Sequence, residues 1–132
     1  MDAYVQTKNT QTDNYEVASD SVLPLYHSQV VSHLGLEDQS VSKHDGALTS
    51  AIAGVTITGV SGCEYAAGDC IDVQKTGVVM VRTEAAVVKG EQVAPGATGD
   101  IVPHVPGTTP LLGVALASVP AGSRVHVRLT FE

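Results

Sequence analysis

At 132 residues the chain is one domain by length, and its charge of −7 comes from seven Lys+Arg against fourteen Asp+Glu spread along the sequence, which argues against direct binding of nucleic acid. The 43% apolar content is mostly small, with 21 Val, one Phe and no Trp, so the expected core is thin and shared burial with neighbouring subunits is attractive. No apolar run approaches the roughly 18 residues of a membrane helix, and no basic-then-apolar leader opens the chain, so neither a membrane span nor a secretory signal is expected and synthesis is placed in a cytoplasm.

In chain order, residues 1–21 read as an extended N-terminal arm ahead of a body at 22–132. QTKNTQTDN (6–14) holds no apolar residue, yet Tyr4 and Val5 precede it and Tyr15 and Val17 follow. A solvated tail is one reading; the other, which the four apolar residues favour, is an arm that adds a strand to a partner's exposed sheet edge, with those four as its contact residues. VLPLYHSQVVSHLG (22–35) fits a helix through Leu23, Tyr26, Val30 and Leu34 or a strand through its valines, and the extended reading is preferred. LEDQSVSKHDGALTS (36–50) is polar and turn-rich, a surface loop. Strands are then expected at IAGVTITGV (52–60), CIDV (70–73), GVVMVRT (77–83), AAVV (85–88), DIVPHV (100–105), LLGVALASV (111–119) and RVHVRLTF (124–131). In the last of these, Val125, Val127 and Leu129 alternate with Arg124, His126, Arg128 and Thr130, the pattern of a half-buried antiparallel strand.

A short echo recurs as Gly68-Asp69, Gly90-Glu91 and Gly122-Ser123, each leading into a β-branched residue. Gly68, Gly90 and Gly122 would supply left-handed turns, with Asp69 capping the first, so that each following strand starts in a fixed register. The fold class is therefore all-β: a small antiparallel barrel or sandwich with an N-terminal arm, its terminal strand closing the sheet.

No residue cluster announces a chemistry. His27, His33, His44, His104 and His126 match no metal-ligand spacing and read as separate surface or strand-face residues, and His44-Asp45-Gly46 reads as a turn. Cys63 and Cys70 could face each other across a hairpin and bond, but two small buried apolar residues is the preferred reading. Gly59-Val60-Ser61-Gly62-Cys63 departs from a nucleophile elbow at its last position, and Lys89 lacks the setting of a biotinyl or lipoyl lysine. The stretch around Asp72 faintly resembles the hairpin of the trimeric dUTPases. Asp72 is one residue out of register, however, and Gln74-Lys75 stands where that family has Tyr-Arg. No catalytic, cofactor or metal residues are expected, and the chain is not expected to be an enzyme.

From about Gly54 onward, AAGDCIDV (66–73), TGVVMV (76–81), VKGEQVAP (88–95), LLGVALASV (111–119) and AGSRVHVRL (121–129) follow one another in the order seen in another group of proteins. In that order they resemble the capsid cement, or decoration, proteins of tailed bacteriophages. The resemblance implies a non-enzymatic virion protein on the outer face of an expanded shell, a homotrimer whose partners are major capsid protein subunits. It would clamp them against the pressure of packaged DNA. A stand-alone β-barrel module binding a carbohydrate or a protein is the alternative.

Overall fold

The computed structural model describes residues 12–18, 25, 26, 28–33, 40–57, 64–66 and 68–131. The described residues form twelve strands and no helix. These are β1 (Thr12–Val17), β2 (Leu25–Tyr26), β3 (Val30–His33), β4 (Ser40–Lys43), β5 (Ile52–Thr56), β6 (Glu64–Tyr65), β7 (Cys70–Gln74), β8 (Gly77–Arg82), β9 (Gln92–Pro95), β10 (Ile101–Pro103), β11 (Gly113–Ala115) and β12 (Arg124–Leu129). The all-β reading holds, and the described part of 22–35 forms two strands, β2 and β3, with a turn at Ser28 between them.

The first half closes into a five-stranded barrel of order β1-β4-β3-β5-β7, and β2 pairs with β6 beside it. The second half is an antiparallel sheet of order β10-β9-β11-β12-β8. A single parallel bridge, Thr83 with Ile101, brings the two edges of that sheet together at one end. The terminal strand was expected to close the sheet. Instead β12 lies inside it, paired with β11 on one side and β8 on the other.

Closure falls to β1, the strand expected in the arm. Thr12 to Glu16 run antiparallel to β7, from Thr12 opposite Gln74 to Glu16 opposite Cys70. Glu16 and Val17 then lie parallel to Ser40 and Val41 of β4. Alternation explains the placement: Tyr15 and Val17 point inward and are buried, while Asn14 and Glu16 face out. The body therefore includes Thr12–Val17 and does not start at residue 22. Of the four arm residues, Tyr15 and Val17 belong to the protein's own core, which overturns their assignment to a partner, and Tyr4 and Val5 lie outside the described residues.

Two cores stand back to back. Inside the barrel are Tyr15, Val17, Leu25, Val31, Val41, Ala53, Tyr65, Ile71 and Val73. The second core packs Val79, Val81, Val93, Ile101, Leu112, Val125 and Val127 of the sheet half against Val30, Ile52 and Val55. Strands β3 and β5 thus form a shared wall, with Val31 and Ala53 on one face and Val30 and Val55 on the other. That is why all five residues of β5 are buried although its sequence looks half-exposed.

Other expectations are corrected. Residues 36–50 are not all loop, because Ser40–Lys43 forms β4 with Val41 and Ser42 buried. AAVV (85–88) forms no strand and contributes only the bridge of Val87 to Val119. Cys70 is exposed with a free thiol, not buried, since it sits on the outward face at the start of β7, and Cys63 lies outside the described residues.

Candidate functional site

The turns marked by the echo take the conformation that glycine permits, with φ of +90° at Gly68, +87° at Gly90 and +83° at Gly122. Asp69 caps its turn by accepting from the Ala66 N–H at 2.8 Å through Oδ2. The same turn is stitched to the barrel-closing strand, because Val17 N–H donates to the Asp69 carbonyl and Gly68 N–H to the Val17 carbonyl, at 2.8 and 2.7 Å. The Gly68-Asp69 turn and Val17, read separately from the sequence, are one structural unit that fixes the register of β1.

Among the described residues the histidines do not converge, and no group of three or more His, Cys, Asp or Glu gathers. His44, expected on the surface, is fully buried. Its Nδ1 accepts from Gly46 N–H at 2.8 Å, which leaves Nε2 to donate to the Ser50 carbonyl at 3.0 Å. That pair of bonds fixes the neutral tautomer. His33 packs edge-on to Tyr15 at 5.6 Å between ring centroids. Lys75 Nζ lies 5.2 Å from the centre of the same Tyr15 ring and 3.0 Å from Asp13 Oδ2, so it bridges the two side chains of β1.

The feature with the chemistry of a binding site is an open cleft of about 460 Å³ where the barrel meets the sheet. The N-terminal half contributes Tyr26, Ser28, Gln29 and Lys43, and the sheet half contributes Arg82, Thr98, Asp100 and Arg124. Its floor is a polar knot. Thr56, fully buried, donates through Oγ1 to the Tyr26 carbonyl at 2.8 Å and accepts from Gln29 N–H at 3.0 Å. Gln29 accepts from Tyr26 N–H through Oε1 at 2.9 Å, and its Nε2 reaches across to the Thr98 carbonyl at 3.1 Å and to Asp100 Oδ1 at 3.3 Å. One amide thereby rivets the corner of the barrel to the turn between β9 and β10. Val30 N–H adds a bond to the Gly99 carbonyl at 2.8 Å. Gly99 is required at that turn: its φ is +85°, and a Cβ there would press within 2.9 Å of Cγ on the Lys43 stem. Ser28 holds φ +67°, the one described non-glycine residue in that region.

Electrostatically the cleft inverts the rest of the molecule. Lys43, Arg82 and Arg124 line it, with Asp100 as the single carboxylate among the described lining residues. Arg82 and Arg124 stand directly opposite each other in the β8–β12 register. Met80 then faces His126, and Val78 faces Arg128. All three arginines of the chain therefore lie on the outward face of one strand pair, beside the exposed side chains of Val78 and Met80. Cations that look scattered along the sequence are gathered in space.

No protein-family model and no curated relative matches the chain. Among solved structures, the fold is similar to that of the head fiber gp8.5 N base of bacteriophage phi29, with a TM-score of 0.63 and 14% sequence identity. The match covers 92% of this chain and 94% of that one, so both halves of the fold take part in it.

Proposed function

We propose that this chain is a structural protein of a phage head, a decoration protein that docks on the outer face of the expanded shell. There it would brace neighbouring major capsid subunits against packaged DNA. One observation carries the reading: the whole two-core fold, over 92% of its length, has its counterpart in the base of a phage head fiber. The in-order resemblance to decoration proteins from Gly54 onward, read from a different kind of pattern, supports the same class. The work is mechanical and asks for no catalytic group, so we infer a non-enzymatic role in the virion. It acts as a homotrimer, in which exposed Val78 and Met80 and the thin valine cores gain cover from neighbours. Tyr15 and Val17 play no part in docking.

The test is co-sedimentation of the purified protein with expanded shells and with unexpanded precursors, beside light scattering of the protein alone. The expected result is a trimer that pellets with expanded shells and not with precursors. A monomer at high concentration that pellets with neither overturns the reading. That outcome would leave the second one, a stand-alone module binding a carbohydrate or protein, which the cleft with Tyr26 at its rim favours.

A further inference from the structure

We propose that the turn from His44 to Ser50 is a chemical lock on a site of spontaneous covalent modification. It holds the chain's one Asp-Gly bond, Asp45-Gly46, in a form that resists conversion to isoaspartate, so folding governs the rate of that conversion. The inference goes beyond the phage-head reading and stands whatever partner the chain serves.

The chemistry sets what the lock must oppose. In isoaspartate formation the Gly46 nitrogen gives up its proton to solvent and bonds to Asp45 Cγ. The protonated carboxyl loses its hydroxyl as water, which leaves a five-membered imide. One water then opens that ring at either carbonyl. The product is aspartate again, or a backbone routed through the side-chain carbon, with no atom gained or lost overall. Glycine after aspartate favours the attack because it sets no Cβ beside the nitrogen.

Four observations carry the proposal. Burial does not protect the bond, since the Asp45 side chain is 63% exposed and water reaches it. The nucleophile, however, is engaged. Gly46 N–H donates to Nδ1 of the fully buried His44 at 2.8 Å, and Nε2 of that ring is anchored on the Ser50 carbonyl at 3.0 Å. Third, the electrophile is engaged as well. Asp45 Oδ1 accepts from Ala47 N–H at 3.0 Å and from the Ser50 hydroxyl at 2.9 Å, so swinging Cγ onto the Gly46 nitrogen disturbs both bonds. The same two donors, Ala47 first, hold the carboxyl below its ordinary 3.8, and the ionised form has no hydroxyl to lose. Fourth, the backbone has little room to swivel. Gly46 sits at φ +81°, and a Cβ there would lie 3.1 Å from Ala97 N and from Gly96 C, in the turn between β9 and β10.

That contact also says what the lock guards. Isoaspartate would insert an extra backbone carbon just ahead of Gly46, against Gly96 and Ala97, and next to the Thr98 carbonyl that Gln29 holds. Conversion at Asp45 therefore strains the seam where the two halves are riveted.

The experiment ages the full chain in warm neutral buffer, folded and in guanidinium, and measures isoaspartate at residue 45 by enzymatic methyl labelling and peptide mass spectrometry. The folded parent is expected to convert about tenfold or more slowly than the unfolded chain. Ser50→Ala removes one donor from Asp45 at a half-buried turn position, and while still folded it should convert about threefold faster than the parent. His44→Gln should be faster again; where it fails to fold, Ser50→Ala decides alone. Equal rates in the folded and unfolded parent, or a folded Ser50→Ala as slow as the parent, overturn the proposal. Faster conversion in the folded parent than in guanidinium overturns it in favour of His44 Nδ1 acting as a base on the Gly46 N–H. An unfolded chain that forms no isoaspartate at 45 overturns it too, because there is then nothing to lock.

Discussion

His44 shows how much one buried polar residue can hold. Desolvation is the main cause that pushes its pKa below the ordinary 6.5, with the Ser50 carbonyl and Asp45 pulling the other way. His33 is shifted in the same direction, by burial first and by Lys75 second. Because the folded pKa values lie below the unfolded one, the unfolded chain binds more protons as the pH falls. Stability is therefore complete above 6.5 and is lost from there down toward the folded pKa. Protonation of Nδ1 also removes the acceptor of the Gly46 N–H. Asp45 acts in a separate, lower window. Its carboxylate accepts from Ala47 N–H and the Ser50 hydroxyl and is held below the ordinary 3.8, so its contribution vanishes only as the pH falls through that lowered value. Thermal melts on either side of 6.5 should show a drop in midpoint on acidification that shrinks in His44→Gln; an equal drop in the variant would mean other groups cause it. Glycines give a second contrast. A Cβ at Gly113 would overlap the Arg128 carbonyl, whereas one at Gly122 meets nothing within 4 Å. In urea unfolding, Gly113→Ala should cost about 3 kcal/mol through overpacking against backbone. Gly122→Ala should cost only the ~1 kcal/mol of a left-handed turn without glycine. Comparable losses would refute the close-approach argument. Neither contrast was readable beforehand. His44-Asp45-Gly46 has the letters of an ordinary turn, and Gly113 sits in an apolar run whose partner strand lies beyond the reach of local pattern.

Among the elements, β1 and β12 mark the limits of legibility. β12 alternates strictly, and its inward set of Val125, Val127 and Leu129 is the buried one in the structure. β1 alternates too, but it offers only Tyr15 and Val17 amid polar residues. Its apolar spots were visible while the surface they bury against was not, because that surface is assembled from β4 and β7. β4 was invisible for a related reason: SVSK carries one apolar side chain, and its pairing with β3 and β1 supplies the rest. A deletion that removes residues 1–17 should therefore unfold the barrel, seen as lost amide dispersion, whereas one ending at residue 11 retains every described strand. A folded barrel after the longer deletion would contradict the role given to β1. Within β1, Tyr15→Ala should cost about 3 kcal/mol in urea unfolding, in the range of other buried aromatics. The Gln29 rivet belongs to the same scale. Gln29→Leu would leave the Tyr26 N–H without its acceptor and Asp100 without its donor, at about 2 kcal/mol.

For the molecule as a whole, the governing fact is two small cores sharing one wall. A single valine-rich core would bury little per residue. Placing β3 and β5 between two cores lets both faces of each strand count toward burial. The cleft follows from that plan, since the seam where the halves meet is where side chains from residues 26, 43, 82, 100 and 124 can converge. Its composition was present in the sequence, but its existence depends on a cross-strand register that no local spacing encodes. The closure of the barrel has a further consequence for how the chain is made. Because β1 pairs with β7, a ribosome must deliver residue 74 before Thr12 can find its partner. Until then Tyr15 and Val17 travel uncovered on a nascent chain, but every barrel strand is delivered by Gln74, before the sheet half begins at Gly77. The C-terminal sheet waits longer for its own completion, because β8 at Gly77–Arg82 pairs with β12 at Arg124–Leu129, and long-range pairings in both halves slow folding.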